Sequence, residues 1–237
     1  MKKAIVIGGT SGIGKALVEV LLRNNYKVGL SGIERDDLTT LKEKSNENLT
    51  IRYIDCSKEN CSNEINELAE MLGGLDLLIF SAGIGHLNKD LGYSVENNAN
   101  KLNVLGFTEV VDWSYRYFRK QGSGHVVAIS SFTGLFGYRT SPAYTAAKGY
   151  QLNYLEALRQ KAYHSKLPLY VTDIRPGFVD TDISKDLKRF WVATTQKAAQ
   201  QIYTAIKKKK GMAYVTKRWW FMAFLIKLLP DWVRGRL

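Results

Sequence analysis

A run of apolar residues that stops at Gly8, followed by Gly12 and Gly14 and then by helical spacing, leaves this chain few ways to fold. After Lys3, residues 4–7 are apolar and mostly β-branched, so residues 3–7 read as a short buried strand. Ile13, Ala16, Leu17, Val20 and Leu21 recur at helical spacing directly after the glycines. A strand, a glycine turn and a helix form the start of a parallel βαβ unit, and such a turn lets the backbone approach a bound phosphate closely. The alternation continues down the chain. Further strands are predicted over residues 27–30, 49–54, 75–80, 125–130 and 168–174, and helices over 36–44, 64–72, 97–120 and 141–164.

Strands alternating with helices imply an α/β fold: a single-domain, Rossmann-type, doubly wound parallel sheet of about six to seven strands with helices on both faces. With 237 residues the chain is near the upper size of one hydrophobic core, and no linker or repeat interrupts it. Residues 1–183 are expected to hold the cofactor and the catalytic core. Residues 184–217 should form a substrate loop, a helix and a last strand over 212–216, and residues 218–237 a basic, aromatic tail. Lys2 and Lys3 precede only four apolar residues before glycine, too few for a signal peptide. Cys56 and Cys61 suggest two reduced thiols in a cytoplasmic protein, with no metal site.

The chemistry is concentrated on one helix. Tyr144 and Lys148 are four residues apart, so both lie on one face, with Ser141 as the predicted N-cap and Pro142 in the first turn. A phenol is a poor acid–base catalyst at neutral pH, and a neighbouring ammonium stabilises its phenolate form. Ser131 lies just past a strand end in the sequence Ser131-Phe132-Thr133-Gly134, and Asn103 lies in Asn103-Val104-Leu105-Gly106 on the preceding long helix. Arg175-Pro176-Gly177-Phe178-Val179-Asp180-Thr181 follows the strand at 168–174.

Taken in order, these segments resemble the short-chain dehydrogenase/reductase family over about residues 3–183. The spacing of Gly8, Gly12 and Gly14 is similar to the family's T-G-x-x-x-G-x-G turn, with Ile7 in place of the Thr. Phe80-Ser81-Ala82-Gly83 stands where the family has N-N-A-G, so both asparagines are replaced. The resemblance implies a nicotinamide-dependent oxidoreductase acting on a carbonyl or alcohol. It places Tyr144 as proton donor, Ser131 on the substrate oxygen, and Lys148 on the nicotinamide ribose and beside Tyr144. Asn103 should hold a water that links Lys148 to solvent. The cofactor contacts it implies are Gly8, Thr10, Ser11, Gly12, Ile13 and Gly14 in the turn, and Asp55 and Cys56 at the adenine. Ala82 and Gly83 lie beside the ribose, and Pro176, Gly177, Val179 and Thr181 cradle the carboxamide, with Tyr144 and Lys148 completing the set.

Cofactor type is read at the end of the second strand, where a carboxylate would bind the ribose hydroxyls and repel a 2′-phosphate. Gly32 occupies that position, Ile33 follows, and Arg35 and Lys15 are the nearest cations, so NADP(H) is favoured over NAD(H), which is the alternative if the Glu34 carboxylate turns inward. A nucleotide-sensing protein of the same fold without turnover is the alternative. The family resemblance also implies a homodimer or homotetramer, with Trp113, Tyr115, Tyr117 and Phe118 in the core or in a subunit contact. His86, His125 and His164 have no metal-ligand spacing and are expected as polar surface or loop residues.

Charge is unevenly distributed. Residues 185–237 carry 13 Lys/Arg against Asp186 and Asp231, and so hold nearly all of the formal +12 of the chain. No nucleic-acid reader motif accompanies this charge. Residues 219–229 are almost continuously apolar, yet as a helix they reach only about 17 Å, too short to span a bilayer. Two readings stay open for this tail: packing on the domain or on a second subunit, and peripheral contact with an anionic membrane.

Overall fold

The computed structural model describes residues 1–33, 47–185 and 189–234. Its centre is a seven-stranded sheet, parallel throughout, in the order β3-β2-β1-β4-β5-β6-β7. The strands are β1 (Lys2–Ile7), β2 (Tyr26–Gly32), β3 (Leu49–Tyr53), β4 (Leu77–Phe80), β5 (Gly124–Ile129), β6 (Leu169–Pro176) and β7 (Met212–Val215). The direction of strand progression reverses between β1 and β4, where Val6 is paired with Leu30 on one side and Ile79 on the other. A doubly wound sheet opens a crevice at such a reversal, because the crossovers leave it on opposite faces.

The pleat of β1 divides the core. Ala4 and Val6 point to one layer, with Leu17 and Leu21 of α1 (Gly12–Arg23) and Ala198 and Ile202 of α6 (Thr195–Lys207). Ile5 and Ile7 point to the other, formed by α2 (Cys61–Leu72), α4 (Phe107–Gln121) and α5 (Pro142–Ser165). Both faces of the sheet are covered, which is why its strands read as continuous apolar runs rather than as alternating ones. Tyr115 and Phe118 are buried in the second layer, and Trp113 and Tyr117 pack against it.

Several details depart from the sequence reading. The helix predicted over 97–120 begins earlier, as α3 (Tyr93–Asn100), and runs through a π turn (Lys101–Gly106) into α4. Its early turns are polar and lack the apolar periodicity that marks a helix. His125 is buried rather than a surface or loop residue: its Nε2 pairs with Thr172 Oγ1 at 2.7 Å, and burial pushes its pKa down to about 4. Ser141 is the N-cap residue of α5 as expected, but its hydroxyl donates to the His86 carbonyl and makes no cap bond to the helix. The helix predicted over 36–44 lies outside the described residues.

The tail forms α7 (Arg218–Leu228) and the short α8 (Asp231–Arg234). One face of α7 docks. Trp219 is 1% exposed and packs at a tilt on Phe132, 4.4 Å between ring centroids, with Phe178, Phe190 and Trp191 around it. Lys207–Lys210 lie between the end of α6 and β7, at the amino end of that edge strand, whereas α7 follows its carboxyl end; Lys209 lies over the Tyr170 ring.

Candidate active site

The glycine turn between β1 and α1 is shaped by contacts that exclude side chains. Gly8 has φ +77°, and a Cβ there would fall 2.7 Å from the Ala82 Cα; one on Gly14 would fall 1.9 Å from the Gly8 carbonyl oxygen. The turn is anchored by Gly8 and Gly9 N–H groups donating to the Ser31 carbonyl. The Ser11 side chain makes no cap bond to α1, so the first N–H groups of the helix stay available to an anion. This cradle fits a pyrophosphate. Gly14 lies beneath the turn, whereas Gly8, Thr10, Ser11, Gly12 and Ile13 line a cleft of about 650 Å³.

The cleft runs across the carboxyl ends of β1, β4, β5 and β6. Asp55 and Cys56 border one end, where the Asp55 carboxylate accepts from the Ser57 N–H at 3.0 Å and its hydroxyl at 2.6 Å. Burial opposes ionisation of Asp55, yet these bonds and nearby Lys58 hold its pKa below the usual carboxylate range. Gly32 and Ile33 lie on the same border, and Thr10 fills the space beside Gly32: a Cβ at residue 32 would sit 2.3 Å from Thr10 Cγ2. Arg35 lies outside the described residues.

At the other end α5 brings Tyr144 and Lys148 to the cleft, with the Lys148 Nζ 5.7 Å from the Tyr144 ring centroid. Lys148 is buried and donates to the Ile129 carbonyl and to Gln151 Oε1, both at 3.1 Å. Burial lowers its pKa to about 8, opposed by the Asp173 carboxylate. Asp173 is itself buried, held by Arg175 at 2.6 Å and by the Ser130 hydroxyl. Ser131 opens a short 3₁₀ turn (Phe132–Leu135) and accepts from the Thr133 N–H and hydroxyl. Burial pushes the Tyr144 phenol up to about 12, and its hydrogen bond with Ser131 acts in the opposite sense. The lowering expected from the nearby ammonium is not seen: burial dominates, and the Ser131 bond alone opposes it.

Asn103 is brought to the same place but does not line the cleft. Its amide clamps residue 84, donating to the Ile84 carbonyl at 2.7 Å and accepting from the Ile84 N–H at 3.1 Å. The sequence reading expects Asn103 to hold a water that links Lys148 to solvent. The Gln151 amide ties Lys148 to Asn103, donating to the Asn103 carbonyl at 2.8 Å while accepting from Lys148. Gln151 was missed because nothing in the sequence ties residue 151 to residue 103. Its one signal is a polar side chain three residues after Lys148, on the same buried face.

Pro176, Gly177, Val179 and Thr181 cross from β6 to the glycine turn, where the Thr181 methyl lies 3.1 Å from a Cβ on Gly12. Gly177 has a reason of its own: a side chain there would overlap the Trp219 ring. Ala82 and Gly83 line the cleft between the two ends, and a Cβ on Gly83 would approach Lys148 Nζ to 3.5 Å.

The comparisons with known proteins agree with this arrangement. The short chain dehydrogenase family profile matches residues 2–191. An uncharacterised oxidoreductase of Mycobacterium tuberculosis is 27% identical, with 98% of this chain and 93% of the relative covered. A serine dehydrogenase bound to NADP+ superposes with a TM-score of 0.80 at 19% identity, covering 90% of this chain and 93% of the other. A 3-ketoacyl-(acyl-carrier-protein) reductase of Brucella melitensis bound to NADH has the same TM-score and identity, covering 90% and 95%.

Proposed function

This chain belongs to the short-chain dehydrogenase family, a family of nicotinamide-dependent oxidoreductases, and from that premise we propose that it is an NADP(H)-dependent reductase of apolar carbonyl compounds. The observation that carries the reading is the convergence of Ser131, Tyr144 and Lys148, backed by Asn103, on a cleft that also contains the glycine turn.

The reduced nicotinamide, when bound, supplies a hydride to the carbonyl carbon. The protein's part is to orient the substrate and to deliver a proton. Tyr144 donates that proton from its Oη to the carbonyl oxygen, and a phenol with a pKa of about 12 is fully protonated at neutral pH, as reduction requires. Ser131 holds the same oxygen. Lys148 binds ribose hydroxyls through its ammonium and supports the phenolate left on Tyr144. Gln151 and the Ile129 carbonyl fix the direction in which that ammonium points.

Three features support the choice of cofactor and substrate. No carboxylate stands at Gly32 or Ile33 to repel a 2′-phosphate. One of the structural neighbours carries NADP+, and another acts on a 3-ketoacyl group. The apolar Leu87, Phe132, Phe178 and Ile183 line the cleft, interleaved with His86, Thr133 and Asp182. Calorimetric titration with NADPH and NADH, then a panel of aliphatic and aromatic ketones followed at the nicotinamide absorbance, tests the reading. NADPH should bind more tightly and the apolar ketones should turn over. A protein that binds neither nucleotide would overturn it.

A further inference from the structure

The helix α7 is apolar on both sides, but only one side is covered. Trp219, Ala223 and Ile226 are buried against the domain, whereas Trp220 is 56% exposed, Phe221 53%, Phe224 50% and Leu228 65%, with Leu225 also exposed. Trp220 and Phe224 stack on each other along the open side. Together these five side chains leave on the order of 500 Å² of apolar surface in water, as large as the largest patch on an ordinary monomer.

What covers this face is constrained by size, charge and position. A stable dimer needs about 800 Å² from each partner, more than this helix offers. A two-fold contact would also bring Lys217 and Arg218 of both copies, exposed at the start of α7, into one interface and double its positive charge. From residue 217 to the end, the chain carries Lys217, Arg218, Lys227, Arg234 and Arg236 against Asp231 alone. Cations bordering a Trp- and Phe-rich helix face match a bilayer interface, where rings sit at headgroup level and Lys/Arg meet anionic lipid. No helix among the described residues is long and apolar enough to cross a membrane, so the contact is with one leaflet.

We propose that α7 docks the protein on an anionic bilayer surface through Trp220, Phe221, Phe224, Leu225 and Leu228, with Lys217 and Arg218 on the headgroups. Position gives the docking a consequence. Trp219, on the inner side of the same helix, packs on Phe132 and Phe178, which line the cleft, and Arg218 donates to the Trp191 carbonyl at 2.9 Å. The lipid-facing surface is therefore one ring layer behind the apolar edge of the cleft. Resting on the function proposed above, the substrate would be a carbonyl compound dissolved in the membrane, entering past Ile183 and Leu87.

Sedimentation with vesicles tests the docking without any catalytic readout. The full chain is mixed at low salt with vesicles containing about one-quarter phosphatidylserine, and in parallel with pure phosphatidylcholine. A variant carrying Trp220→Ser, Phe224→Ser and Leu228→Ser removes three of the five side chains of the open face and leaves Trp219 in place. The wild type should sediment with the anionic vesicles, much less with the neutral ones, and be released by salt. The variant should lose at least ~10-fold in vesicle affinity while binding NADPH as the wild type does. A wild type that stays in the supernatant at low salt, or a variant that sediments equally well, would refute the docking. So would a wild-type dimer in light scattering that the variant converts to monomer without any vesicle binding. Retained NADPH binding in the absence of sedimentation sinks the docking alone; absent NADPH binding sinks the function.

Discussion

At the catalytic end of the cleft, Asn103, Ser131, Lys148 and Gln151 are buried, and each is bonded to a group from another turn or element. At the adenosine end, Ile33 is half exposed and Gly32 offers no side chain at all. The difference has a physical reason. Proton transfer needs donors and acceptors held to a fraction of an ångström, and buried bonds supply that order. Discrimination of a 2′-phosphate from a hydroxyl needs only a charge of the right sign near a solvated rim. The first end should therefore respond to single substitutions by large losses, and the second by modest shifts in preference.

The largest effect is expected at Tyr144. Replacing it with Phe removes the proton donor but keeps the ring that borders the cleft. Turnover should fall by about 10²–10⁴-fold, the range for loss of a general acid, while NADPH affinity by calorimetry stays near the wild-type value. Turnover close to wild type would mean that the ordered end of the cleft is not where the chemistry occurs.

How much of this comparison is legible in the sequence follows from the range of the contacts. Tyr144 and Lys148 are one helical turn apart, and the glycine turn occupies seven residues, so pattern alone exposes them. The order of strands and helices is equally local, because each element carries its own apolar period. Gln151 escapes such a reading, since its meaning depends on the π turn 48 residues earlier bringing the Asn103 carbonyl to it. Gly177 reads as a cofactor contact, yet its missing side chain is also required by Trp219, which lies 42 positions further on, counting from 177 to 219. The two faces of α7 are indistinguishable in sequence because both are apolar; only the position of Phe132 and Phe178 decides which one is buried.

An intermediate effect is expected at Gln151, which acts through Lys148 and is a positioning residue. Gln151→Leu keeps the volume roughly and removes both the acceptor for the ammonium and the donor to Asn103. Losing a hydrogen bond to a charged group costs about 1.5–3 kcal/mol, so kcat/KM for NADPH should drop by at least ~10-fold. The pH profile separates this from a general packing defect. Lys148 has its pKa lowered by burial to about 8, so wild-type kcat/KM should fall as pH rises through that value and the ammonium is lost. Without its acceptor the ammonium is less favoured, and the fall should move to lower pH. In Gln151→Glu a carboxylate favours the ammonium, and the fall should move higher. Identical profiles in all three proteins would remove Gln151 from the site.

The smallest effect is expected at the open rim, and it decides the cofactor. A carboxylate cannot be tested at residue 32 without displacing Thr10, whose Cγ2 lies 2.3 Å from where a Cβ would be. Ile33 is the position to use, because it borders the cleft and is half exposed, so Asp fits there without rearrangement. A charge pair about 4 Å apart in solvent interacts by about 1 kcal/mol, and by up to about 4 kcal/mol where the surroundings are partly protein. Ile33→Asp should therefore weaken NADPH binding by about 10-fold at low salt, and less as salt screens the pair. NADH binding should hold or improve, since the same carboxylate can accept from the ribose hydroxyls. Measured side by side, the two dissociation constants should cross or converge. If the wild type already prefers NADH and Ile33→Asp changes neither constant, the adenosine ribose lies away from this rim, and the contrast between the two ends of the cleft rests on the catalytic end alone.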